Sequence, residues 1–179
     1  VPFGMLKGII KQKTFFKASA FLVLSGYKAG DYNMDGSFYQ FFGKKNHKIY
    51  LNVSKGLTMP DYFYTSYITD NYSWEKDFNP QDYLKGEVGI MLSGFDLNAS
   101  YTRLTNYTYL NNQVIPEQFS GAMTILAAHA SKEFRIKHWI TTIYGATQFI
   151  SPDDLLQLPA IIGKLTVCYD RILFKNALH

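Results

Sequence analysis

The stretch from Ser93 to Leu110 keeps up a two-residue alternation for longer than an ordinary strand lasts. Phe95, Leu97, Ala99 and Tyr101 fall on one side of an extended chain, and Asp96, Asn98, Ser100 and Thr102 fall on the other, because successive strand side chains point to opposite faces. Strict alternation marks a strand with one wet and one dry face, but globular strands usually stop after about 5–6 residues. A strand that crosses a bilayer needs about 9–11. Length is what turns a strand prediction into a membrane prediction.

Composition points the same way. Charged residues are 18% of the chain, below the roughly 25% of an average soluble protein. Aromatics make up 17%, with 14 Tyr and 14 Phe. Tyr is favoured where one end of a side chain is dry and the other wet, as in the interfacial girdles of membrane barrels. A Tyr-rich soluble β protein is the competing reading, since aromatics favour strands in general.

The 179 residues suit a single domain, 1–179. Cys168 has no partner for an internal disulfide and reads as a packed mid-strand residue. No run approaches the roughly 18 apolar residues of a spanning helix; Phe21-Leu22-Val23-Leu24 is too short. A barrel is untouched by that exclusion. The opening Val-Pro-Phe-Gly carries no signal peptide, and the end at Ala-Leu-His179 follows a strand-like segment. Both features suggest a piece of a longer chain. The formal net charge of +4 is modest, and Lys44, Lys45 and Lys48 form the one dense basic cluster, read as a solvated turn. Without an Arg-rich helix or stripe, no nucleic-acid partner is expected.

Nine or ten strands are expected. Thr14 to Ser25 is the first, followed by a Gly/Asp/Asn-rich loop through Gly36. Ser37 to Phe42 then pairs with Lys48 to Ser54 across a polar turn at Gly43 to Asn46. Thr58 to Thr69 is a strand interrupted by Pro60, and Asn79-Pro80 closes the following segment. Tyr83 to Leu92 sets Leu84, Gly86, Val88, Ile90 and Leu92 against Tyr83, Lys85, Glu87, Gly89 and Met91, and Ser93-Gly94 turns it into the next strand. Gln118 to Ser131, His138 to Ile150 and Leu158 to Phe174 complete the series. In the last, Ile161, Leu165, Val167 and Tyr169 oppose Lys164, Thr166, Cys168 and Asp170. The Ala-rich part of Gln118 to Lys132 also reads as a helix on propensity, but its strand-like neighbours favour a meander. Short turns alternating with longer polar loops suit a barrel with a turn end and a loop end.

Few motifs carry chemistry. Asp31, Asn33, Asp35 and Gly36 match the first half of a calcium-binding helix-loop-helix loop, but Phe42 stands where the final Glu belongs. Asp35-Gly36 is therefore read as a tight-turn pair. His47, His129, His138 and His179 show no metal-ligand spacing with each other or with Cys168. His129 and Ser131 with Asn106 or Asn112 would make a Ser-His-Asn set, without any nucleophile-elbow signature. Asp77, Asp153 and Asp154 read as hydrated loop carboxylates, and the sequons at Asn52, Asn71, Asn98 and Asn106 as chance occurrences. No enzyme activity, metal or cofactor is expected.

Asp70-Asn-Tyr-Ser-Trp-Glu-Lys-Asp-Phe78 resembles the Asn-aromatic-x-Trp stretch that enters a strand in the putative porin family of Bacteroidetes outer membranes. Ile115-Pro-Glu-Gln118 and Leu158-Pro159 before long strands, and the late strand from Tyr169 to Leu178, extend the resemblance over about Tyr50 to His179. Members of that family are longer and carry a signal peptide and a terminal aromatic, so the resemblance implies an arc of a larger barrel, whose unpaired edges would pair with the rest of the barrel or with another chain.

The expectation is therefore all-β: an antiparallel up-and-down meander forming a transmembrane β-barrel, or an arc of one, in a bacterial outer membrane. Such a porin-like barrel would let small polar solutes diffuse passively. Lys85, Glu87, Asp96, Asn98, Ser100, Thr102, Lys164, Thr166 and Asp170 are expected to line the pore. Val88, Ile90, Phe95, Leu97, Ala99, Ile161, Leu165 and Val167 are expected to face outer-membrane lipid. A soluble, lipocalin-like barrel around an apolar ligand shows the same alternation turned inside out. A purely structural envelope role is a further alternative.

Overall fold

Long alternating segments can satisfy their backbone groups only by pairing with neighbours of similar length, and the computed structural model shows that outcome. It describes residues 1–43, 47–70, 72–153, 155–156 and 158–171. The elements are β1 (Phe3–Ile10), β2 (Thr14–Leu22), β3 (Tyr32–Phe42), β4 (His47–Thr58), α1 (Tyr62–Thr65), β5 (Ser66–Ile68), β6 (Ser73–Glu75), β7 (Gln81–Leu92), β8 (Phe95–Leu110), β9 (Pro116–Ile136), β10 (Trp139–Ser151) and β11 (Ile161–Tyr169). Nine of the strands form one sheet in the order β1-β2-β3-β4-β7-β8-β9-β10-β11, every pair antiparallel. This is an up-and-down meander. It does not close: β1 and β11 are its two edges. β8 has 16 residues and β9 has 21, well beyond a globular strand.

The two ends of the sheet differ. At one end the connections are residues 11–13, 43–46, 93–94 and 137–138; at the other they are 23–31, 59–80, 111–115 and 152–160. Ser93 and Gly94 both have positive φ (43° and 75°), which gives a two-residue turn the twist that matches its flanking strands. Lys11 and Gln12 do the same at 50° and 54° without a glycine.

The longest connection holds its own small aromatic core. β5 pairs with β6, the Trp74 ring stacks on Tyr67 at 4.7 Å and meets Phe63 edge-on at 5.4 Å, and its Nε1 donates to the Phe63 carbonyl. Tyr27, from the loop after β2, donates to the Pro60 carbonyl and meets Tyr62 edge-on. Asp31 fixes the base of this assembly: its carboxylate accepts from the Thr58 hydroxyl at 2.9 Å and the Met59 N–H at 2.7 Å.

Several sequence expectations need correction. Asp35-Gly36 is not a turn: β3 runs through it, paired with Ser54 and Val53. The loop after β2 ends before Tyr32, and β2 itself stops at Leu22. Residues 58–69 are not one interrupted strand but the end of β4, α1 and β5. Propensity for helix in 118–132 loses to ladders with β8 on one side and β10 on the other. β11 ends at Tyr169, so Asp170 lies just beyond it. Cys168 is exposed rather than packed. β1 was not anticipated, because apolar residues occupy both of its faces (Met5 and Ile9 against Leu6 and Ile10) and blur the alternation. Lys44, Lys45, Asn71, Asp154 and the stretch from Ile172 to His179 lie outside the described residues.

Candidate functional site

Register decides which side chains share a face, since directly opposed residues of neighbouring strands project together. Lys85 is opposite Thr102, Glu87 opposite Ser100, and Met91 opposite Asp96. Asn98 sits between Gly89 on β7 and His129 on β9. The same face continues through Tyr50, Asn52 and Ser54 on β4 and through Asp35, Ser37 and Tyr39 on β3. In the other direction it runs through Ser131, Tyr144 and Gln148 to Lys164 and Thr166. The polar residues picked out from sequence on β7, β8 and β11 thus lie on one surface. Asp170, at the turn end, donates its backbone N–H to the His138 carbonyl at 2.7 Å.

These groups are tied together. Asn98 donates to the Tyr50 hydroxyl at 2.9 Å and to Glu87 at 2.8 Å, and Lys85 approaches Glu87 at 3.9 Å. Tyr39 donates to Asn52, and its ring stacks on Tyr50 at 6.1 Å. His129 Nε2 is 4.0 Å from Asp96, whose other carboxylate oxygen is sealed from solvent without a hydrogen-bond partner. Tyr83 and Ser54 extend the lattice to Asn33 and Asp35. At the loop end, Lys28 donates to Asp61 at 2.7 Å, and this hydrogen bond raises its pKa above the ordinary lysine value.

The opposite face carries Ile49, Leu51 and Val53 on β4, Val88 and Ile90 on β7, Phe95, Leu97, Ala99 and Tyr101 on β8, and Ile161, Leu165 and Val167 on β11. Below a β-bulge at Asn106, its charges are confined to the two rims. Lys55, Asp82 and Arg103 stand at the loop end, with Lys55 and Asp82 paired at 3.1 Å, and Lys132 stands at the turn end. From the level of Phe95 to that of Arg103 is about 27 Å along the strand at about 3.4 Å per residue. At a barrel tilt of about 40° that gives roughly 21 Å of height, near the roughly 25 Å apolar band of membrane barrels.

Around Tyr50 and Asn98, at the centre of the sheet, exposure differs between the faces as well. Val88 is 51% exposed and Leu97 39%, whereas Tyr50 on the polar face is 9% exposed. Asp96, Asn98, Ser100 and Thr102 are all half-buried. Polar side chains that crowd while aliphatic ones fan out are what an arc with its polar face inward would show.

The imagined catalytic and metal sets do not form. His129 is the register partner of Asn98, eight residues along β8 from Asn106, which is roughly 27 Å at about 3.4 Å per residue. No group of three or more metal-binding side chains occurs among the described residues. Asp31, Asn33 and Asp35 spend their oxygens on Thr58, Met59, Tyr83 and Ser54. Sequence reasoning missed Tyr39, Tyr50, Asn52 and His129 as members of the polar face. Their alternation within β3, β4 and β9 was the available signal; only the register joins them to β7 and β8.

No curated protein and no solved structure matches the chain. The sequence profile of a family described as "Putative porin" matches residues 3–179, a wider span than the resemblance read from Tyr50 onward. With nearly every residue covered and an antiparallel meander of the expected kind, the chain belongs to the putative porin family.

Proposed function

We propose that this chain forms an arc of a bacterial outer-membrane β-barrel whose polar face lines a water-filled passage for passive diffusion of small polar solutes. One observation carries the reading: the apolar face holds charge only at its rims, while the polar face holds Lys85, Glu87 and Lys164 within its strands, with Asp96 beside the turn end. A charge at bilayer midplane on the lipid side costs about 2–4 kcal/mol for Arg or Lys, and none is there; in a wet lumen the cost vanishes. On this reading Lys85, Glu87, Asp96, Asn98, Ser100, Thr102, Lys164 and Thr166 face the lumen, with Asp170 at its turn-end rim. Val88, Ile90, Phe95, Leu97, Ala99, Ile161, Leu165 and Val167 meet lipid.

Strand direction sets what completes the ring. β1 and β11 both run from the loop end to the turn end. Nine strands therefore cannot close antiparallel on themselves, nor can two parallel copies close on each other, because β11 would meet β1 in parallel. Closure needs an odd number of further strands, from the same polypeptide or from a partner. The test is to refold the full-length parent into a planar bilayer. Stable stepwise conductance is expected; a folded, inserted and silent protein would contradict the pore.

A further inference from the structure

The polar face is not electrically uniform. Its carboxylates on β3 and β7 are occupied, Asp35 by Ser54 and Asn33 and Glu87 by Asn98 and Lys85, while Asp96 on β8 has His129 Nε2 at 4.0 Å. Its lysines on β1, β2 and β4 are not. Lys7 is directly opposite Lys17, and neither they nor Lys13 or Lys48 form an ion pair among the described residues. Like charges directly opposed across strands are destabilising. Such a pair suits a surface where anions pass.

A groove lies beside these lysines at the turn end of the same face. It has a volume of about 460 Å³ and is lined by Ile9, Phe15, Tyr39 and Phe41, with Lys13 and Lys48. Phe15 and Tyr39 make one aromatic wall, their centroids 5.9 Å apart. Lys48 Nζ hangs over that wall, 5.7 Å from the Tyr39 ring and 5.6 Å from the Tyr50 ring. It is held by ring electrons rather than by a carboxylate and keeps its N–H donors available. The left-handed turn at Lys11 and Gln12 brings Lys13 back to the same place. Lys7 and Lys17 stand two residues beyond Ile9 and Phe15, about 7 Å from them and about 14 Å from the level of Lys13 and Lys48 at about 3.4 Å per residue.

We propose that this groove is a binding subsite for a small organic anion built on a ring, with an aromatic carboxylate as the simplest case. The ring packs on Phe15 and Tyr39, the carboxylate sits between Lys13 and Lys48, and Lys7 and Lys17 draw anions along the wall. The assignment rests on the lumen reading of the polar face and adds a solute class to it.

The test uses the full-length parent in planar bilayers at low ionic strength, where the lysine field is least screened. A potassium chloride gradient should give a reversal potential of anion preference. Benzoate should reduce the current in a saturable way, whereas acetate and benzylammonium should not. Lys13→Gln with Lys48→Gln should raise the half-blocking benzoate concentration at least tenfold. Phe15→Ala should remove the difference between benzoate and acetate. Lys7→Gln with Lys17→Gln should lower anion preference. Cation preference in the wild type, or benzoate block unchanged in the Lys13/Lys48 variant, overturns the subsite while leaving the pore intact. A channel that never conducts overturns the pore instead. In that case, benzoate binding to the refolded parent, followed by NMR and lost in the Lys13/Lys48 variant, still decides the groove, and no binding ends it.

Discussion

The Tyr50 ring lies flat across the backbone of Gly89, its directly opposed residue on β7, and reaches over that strand to accept a hydrogen bond from Asn98 on β8. A Cβ on Gly89 would collide with the phenol end of that ring. Phe16 over Gly8 and Tyr83 over Gly56 repeat the arrangement. An aromatic ring that covers a cross-strand glycine shields exposed backbone and pins register.

Gly89→Ala is therefore expected to push Tyr50 off the strand, break its bond to Asn98, and cost about 1–3 kcal/mol as an overpacked site. Gly145→Ala is the control, since a Cβ there meets nothing within 4 Å. Its effect should stay within about 0.5 kcal/mol. The shift of folded to unfolded mobility on unboiled gels with temperature measures both, and equal effects would contradict the ring-over-glycine account.

Leu97→Arg puts a guanidinium near the middle of the apolar face. It should disfavour insertion by about 2–4 kcal/mol. Ser100→Arg, three residues along and facing the other way opposite Glu87, should insert normally. Recovery of each variant in the membrane fraction after refolding into vesicles compares them, and indistinguishable insertion would remove the face assignment.

Asp31→Ala strips the acceptor from the Thr58 hydroxyl and the Met59 N–H. Orphaning such partly buried donors costs about 1–3 kcal/mol. The loss should concentrate in the connection between β4 and β7, seen as faster protease cleavage within residues 59–80 while the sheet stays resistant. Uniform destabilisation would mean that the carboxylate holds more than this loop.

The two tryptophans report on different surroundings. Trp74 is 8% exposed within the loop-end aromatic core, and Trp139 is 52% exposed on the apolar face at the turn end. In single-tryptophan variants (Trp139→Phe and Trp74→Phe), only the emission of Trp139 should be quenched by brominated lipid, most strongly by chains brominated near the headgroup. Quenching of Trp74 instead would reverse the picture.

The β7–β8 hairpin was legible from sequence because each strand has one wet and one dry face, and Ser93-Gly94 supplies the left-handed turn. Where a local signal competed with a tertiary one, the tertiary one won. Asp35-Gly36 has turn chemistry but sits between two long partners, and the Ala-rich centre of β9 has helix propensity but is paired on both sides. α1 and the small hairpin after it are held by the Phe63–Tyr67–Trp74 contacts, which no periodicity announces. The lysine side of the polar face was invisible for a similar reason. Lys7 and Lys17 are ten residues apart, and only the hairpin register sets them opposite each other.

The most direct test is a cysteine scan from position 96 to 102 along β8 in a Cys168→Ser background, spin-labelled and reconstituted in lipid. Positions 97, 99 and 101 should be relaxed by oxygen and protected from a water-soluble nickel chelate, with 96, 98, 100 and 102 the reverse. A two-residue period of that phase supports a lipid-facing apolar surface and a wet polar one. The opposite phase, or no period at all, would contradict it.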